Sequence, residues 1–82
     1  MNSLGVKRDV ERLSRNCLCD EVTRIIKSRI FENQYKRGSR LLVEDIANSI
    51  SVSVTPVREG LKNLVLEGLV SYENNRYFVF DP

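Results

Sequence analysis

The sequence predicts a small α+β domain, mainly α, in which three helices are followed by a short β-hairpin, and it allows an extra helical arm at the N-terminus. Three observations carry this. Apolar residues recur at helical spacing in three segments between Leu18 and Val65. Pro56 and Gly68 stand where a helix begins and ends. Two runs rich in β-branched and aromatic residues, Leu69–Glu73 and Tyr77–Phe80, then flank Asn74, Asn75 and Arg76. The chain has 82 residues, enough for one domain, and a domain of this size buries only about 60–65% of the surface of its unfolded chain. Residues 1–16 read as a basic arm or helix and 17–82 as the folded domain.

Val6, Val10, Leu13 and Cys17 recur at spacings of four, three and four, a narrow apolar stripe for a helical arm over 6–17. From Leu18 the stripe broadens. Leu18, Val22, Ile25, Ile26, Ile30 and Phe31 form a full apolar face, and Asp20 and Glu21 near its start suit the helix dipole. This helix is expected to end before Tyr35-Lys36-Arg37-Gly38, where the period breaks. Ser39-Arg40-Leu41 reads as a short extended piece, and Val43, Ile46, Ala47 and Ile50 share one face of a second, short helix.

Ser51-Val52-Ser53 reads as a tight connection, because serine side chains compete for nearby backbone groups. In the third helix Ser53 or Thr55 can cap the start, Pro56 is tolerated in the first turn, and Val57, Leu61, Leu64 and Val65 form the buried stripe. Gly68 closes it as a left-handed cap. The asparagines between the last two runs tolerate positive φ, so those runs pair as a hairpin.

A composition 41% hydrophobic and 29% charged is too apolar for disorder and too interrupted for a membrane span. The net charge is +2. Lys7, Arg8, Arg12 and Arg15 outnumber Asp9 and Glu11 in the arm, which leaves nine basic and nine acidic residues in the rest. Affinity for a polyanion must therefore come from cations gathered on one face. Cys17 and Cys19 stand two apart, so on a helix they point to separate faces and cannot pair with each other. With no histidine, they read as structural thiols in a cytoplasmic protein, without a metal or cofactor. No leader-like apolar stretch opens the chain. Nothing supplies a catalytic pair or a phosphate loop, so an enzyme is not expected.

Helix, short strand, helix, tight turn, helix, hairpin is the order of a winged helix-turn-helix. In that arrangement the third helix enters the major groove of DNA and the hairpin reaches a flanking groove. The hydroxyls of Ser53 and Thr55, with the unpaired amides of a helix start, suit phosphate oxygens. Arg58 has the length and planar fork to reach a guanine edge. The candidate contacts are Ser53, Val54, Thr55, Pro56 and Arg58, with Lys62 one turn on, Arg40 in the extended piece, and Asn75 and Arg76 at the hairpin tip. Glu44 and Asp45 open the second helix, where carboxylates favour the dipole.

Three runs carry a resemblance: Leu41-Leu42-Val43-Glu44-Asp45-Ile46-Ala47, then Val52-Ser53-Val54-Thr55-Pro56-Val57-Arg58-Glu59-Gly60-Leu61, then Glu67-Gly68-Leu69-Val70. Together they resemble the GntR-family DNA-binding domain over about residues 18–80, and Thr55-Pro56-Val57-Arg58-Glu59 is most similar to the FadR/FCD-type branch. The resemblance implies a transcription regulator that reads a palindromic operator as a homodimer, with contacts from Ser53, Thr55, Arg58, Asn75 and Arg76. It also implies an all-helical effector domain that these residues lack, through which alone a small-molecule effector would act. Three positions depart from the family pattern. Val54 stands where arginine is common, Gly60 stands where alanine is usual, and Tyr77 follows Arg76 with no wing glycine between. Gly60 should cost its helix roughly 0.5–1 kcal/mol relative to alanine. The alternative function is a winged helix that docks a protein partner and does not bind DNA.

Overall fold

The computed structural model describes residues 18–81, so the arm expected over 6–17, Cys17 included, lies outside the described residues. Helix α1 occupies 18–31 and is followed by strand β1 (Arg40–Leu41), helix α2 (Val43–Ser49), helix α3 (Val54–Leu66), and strands β2 (Val70–Glu73) and β3 (Arg76–Val79). This is a mainly helical winged helix-turn-helix, as the apolar spacing implies.

The three helices among the described residues stop by the same device. Asn33, Ser51 and Gly68 adopt φ of 62°, 59° and 81°, the left-handed conformation that lets the chain turn back on the helix end. After α1, the Asn33 N–H donates to the Ile30 carbonyl (3.1 Å) and the Gln34 N–H to the Arg29 carbonyl (2.9 Å). After α2 the pairs are Ser51 to Asn48 (3.3 Å) and Val52 to Ala47 (3.0 Å), and after α3 they are Gly68 to Val65 (3.0 Å) and Leu69 to Leu64 (3.0 Å). These Schellman bonds satisfy carbonyls that would otherwise lack partners. Gly68 holds the role the sequence assigns it. Asn33 ends α1 ahead of Tyr35, where the break in the apolar period puts it, because asparagine also tolerates positive φ.

The sheet is antiparallel in the order β1-β3-β2. Arg40 and Leu41 face Phe78 and Tyr77, so the short extended piece is an edge strand of the wing. Across the hairpin, Val70, Ser71, Tyr72 and Glu73 face Val79, Phe78, Tyr77 and Arg76. The turn is therefore Asn74-Asn75 alone, both at positive φ (52° and 63°), as a type I′ hairpin requires. Arg76 opens β3 opposite Glu73 and is not part of the loop that the residue pattern alone suggests.

The core joins Val22 and Ile26 of α1, Ile46 and Ala47 of α2, and Val57, Leu61 and Leu64 of α3 to Leu41, Val70, Tyr77 and Val79 of the sheet. Fully burying one such aliphatic side chain is worth about 1.5–3 kcal/mol. Val65, expected in the core, is only partly buried, and Leu18 and Phe31 of the α1 face are exposed. The stripe on each helix is wider than the surface its neighbours cover.

Helices α1 and α3 meet along a polar seam. Cys19 Sγ donates to Glu59 Oε1 (2.6 Å), Asn63 Nδ2 donates to Thr23 Oγ1 (3.2 Å), and Lys27 Nζ pairs with a Glu67 carboxylate oxygen (2.7 Å). The contacts advance by four residues on both helices at once, so the two run in the same direction with their i±4 rows facing. The Lys27–Glu67 pair is exposed on both sides (36% and 42%), and pairs of that kind contribute about 0–1 kcal/mol.

Candidate nucleic-acid interface

The start of α3 is open. Ser53 occupies the N-cap position with extended backbone (φ −74°, ψ 171°), yet its hydroxyl makes no capping hydrogen bond. A cap hydroxyl ordinarily accepts from the amide of the second or third helical residue. Here the third is Pro56, which has no amide hydrogen. The Ser53 hydroxyl and the amides of Val54 and Thr55 are thus left at a surface where Ser53 and Thr55 are exposed and Val54 is half-buried. Pro56 is buried. It shapes the helix start from inside the fold, and a ring packed in the interior cannot also cover a ligand.

One turn after Val54 comes Arg58, and one turn after that Lys62, both exposed. They share the wall of an open depression of about 640 Å³ with Arg40 from β1, Asn75 from the wing turn and Arg76 from β3. The fold thus brings together five of the candidate contacts from four separate elements. Ser53, Val54 and Thr55 are not among the lining residues and lie one turn ahead of Arg58 on α3.

Among the described residues Arg58 has no carboxylate within salt-bridge distance. Its sequence neighbour Glu59 is turned toward α1, where the Cys19 thiol donates to it. That bond, followed by desolvation and the charges of Glu59 and Asp20, pushes the Cys19 thiol up to about 11. The thiol is therefore protonated and donating near neutral pH. On the wing side, burial and then the neighbouring Tyr72 push the Tyr77 hydroxyl up, and the Arg58 guanidinium pulls it down. Arg58 and Tyr77 line the same depression at the base of the wing.

Three further exposed polar residues of the depression are not among the contacts expected from the sequence. Tyr72 lines it, stacks on Tyr77 with ring centroids 4.7 Å apart, and donates its hydroxyl to Asn75 Oδ1 (3.0 Å). That bond occupies the carbonyl oxygen of Asn75 and leaves its amide hydrogens to donate outward. The signal for Tyr72 was the two-residue turn, which puts it directly opposite Tyr77. Glu44 and Asp45 of α2 also line the wall. A carboxylate in such a place accepts from the amino group of cytosine and repels phosphate, so the depression is not uniformly cationic.

Among the described residues no helix is long and apolar enough to cross a membrane. No curated protein sequence matches the chain. The family model for bacterial regulatory proteins, gntR family, matches residues 18–79, from the first described turn of α1 to the last residue of β3. An open polar helix start, a wing, and cations converging between them fit what that family does. The chain belongs to the GntR family and carries its DNA-binding, transcription-regulating helix-turn-helix domain.

Proposed function

We propose that α3 enters the major groove of an operator with Ser53 and Thr55 on phosphates and Arg58 on a base edge, while Lys62, Arg40, Asn75 and Arg76 grip the flanking backbone. Val54 packs at the groove wall and supplies no polar contact. The observation that carries the reading is the convergence of Arg40, Arg58, Lys62, Asn75 and Arg76 on one depression beside an uncapped helix start. Residues 17–82 act as the DNA-binding unit and 1–16 as a basic arm. Two such units read a palindrome as a homodimer in the cytoplasm, in a regulator of the FadR/FCD-type branch whose effector binds a further, helical domain. No cofactor takes part in DNA binding itself, and no chemistry is catalysed.

The test is selection of duplexes from a randomised pool by the full chain, followed by titration of the winning duplex. Arg58→Ala should weaken that duplex by about 1–3 kcal/mol, or roughly five- to 150-fold, and relax one position of the selected sequence. An unchanged profile would remove Arg58 from the interface. The second reading, a protein-docking winged helix, is favoured by a single feature. Leu66 is 86% exposed and lines an apolar groove with Val65 and Tyr72. Under that reading Leu66→Asp would abolish function and Arg58→Ala would not.

A further inference from the structure

Gly60 lies two residues beyond Arg58 and so on the opposite face of α3, buried against α1. A Cβ at this position would stand 3.1 Å from Val22 Cγ1, 3.2 Å from Thr23 Oγ1 and 3.3 Å from the Thr23 backbone nitrogen. None of these gives way easily. Val22 is 1% exposed. Thr23 Oγ1 is tied by donating to the Cys19 carbonyl (2.7 Å) and accepting from Asn63 Nδ2 (3.2 Å). The nitrogen belongs to α1 itself and moves only with that helix.

Any side chain at position 60 must therefore part the helices by a few tenths of an ångström. Glycine is a poor choice for a helix interior on propensity, so what it provides here is closeness. One residue earlier, the Cys19 to Glu59 hydrogen bond clips the same seam at the end nearer the start of α3. Direct reading of a base edge needs the donor placed to within about 0.5 Å. Phosphate contacts by long cationic side chains tolerate more, since they carry no sequence information.

We propose that Gly60, together with the Cys19–Glu59 clip, is a positioning element: it sets how far α3 stands off α1, hence where Arg58 and Lys62 meet a duplex, and so governs selectivity without touching DNA. The inference rests on the DNA-binding reading above and extends it to residues on the far side of the helix.

The test uses the full chain, the duplex it selects from a randomised pool, and a shuffled duplex of equal composition. Gly60→Ala should lower affinity for the selected duplex about tenfold, the size of one degraded base contact, and leave the shuffled duplex within about twofold. Its thermal midpoint should stay level or fall, because the better helix propensity of alanine offsets only part of the strain of displacing Val22 and Thr23. Undiminished affinity for the selected duplex would overturn the proposal, and so would an equal loss on both duplexes. Cys19 stands at the surface end of the seam, so its variants test the same idea should Gly60→Ala fail to fold. Cys19→Ala should lose about threefold on the selected duplex alone, whereas Cys19→Ser, which keeps a donor for Glu59, should retain it. Equal behaviour of the two variants would overturn the proposal. A chain that selects no duplex at all would instead defeat the DNA-binding reading beneath it.

Discussion

Ser51 shows how a single backbone angle sets a local cost. It terminates α2 at φ 59°, the region where a Cβ meets the following carbonyl and where L-residues lose roughly 1–2 kcal/mol. Asn33 and Gly68 do the same work on the other helices with residue types suited to it. Ser51→Gly should therefore raise stability by about 0.5–1 kcal/mol after the extra freedom of glycine in the unfolded chain is deducted, read as a higher urea midpoint at unchanged slope. A lower midpoint would mean that the serine hydroxyl contributes something the backbone geometry does not reveal. Cys19 makes a second prediction. Its thiol is raised from 9.0 to about 11, chiefly by donating to Glu59. Because the folded value lies above the unfolded one, this stabilisation is complete below pH 9 and is lost as pH climbs from 9 toward 11. In a Cys17→Ser chain, alkylation of Cys19 should set in near pH 11 when folded and near pH 9 in denaturant. Coincident profiles would show that the thiol does not donate to Glu59.

The wing depends on its turn. Asn74 and Asn75 both hold positive φ, and together they fix the register that stacks Tyr72 on Tyr77. Asn74→Ala should cost about 1 kcal/mol, and amide exchange should quicken in β2 and β3 before it does in α1. Uniform quickening would mean that the hairpin and the helices open together. The sequence makes this turn partly legible. The asparagine pair marks it, but whether Arg76 joins the loop or the strand is decided by pairing with Glu73, which no local pattern specifies. Helix α3 was the most legible element, since its proline, its apolar period and its closing glycine all lie within the element. The seam beneath it was not. Read alone, Gly60 is an unfavourable helix residue, and only the approach of Val22 and Thr23, far away in sequence, shows why it stands there. The depression is hidden for the same reason: Arg40, Arg58 and Arg76 become neighbours only when β1 and β3 pair beside α3.

For the domain as a whole, charge is a matter of placement. Outside the arm, nine basic residues offset nine acidic ones, yet Arg40, Arg58, Lys62 and Arg76 line a single wall. If the three assigned to the backbone, Arg40, Lys62 and Arg76, each neutralise one phosphate, log affinity should fall against log salt with a slope of about −2.7 for one domain and about −5.4 for two on a palindrome. Titrations from about 50 to 200 mM salt would measure it. A slope near zero would point to apolar docking through Leu66 instead. The sheet order has a further consequence. β1 and β2 never touch, and each finds its partner only in β3. A nascent polypeptide that has emerged only as far as Asn75 therefore holds two edges with nothing to zip onto. On the DNA-binding reading the wing therefore assembles in one step, once the residues from Arg76 to Val79 are present to pair with both edges.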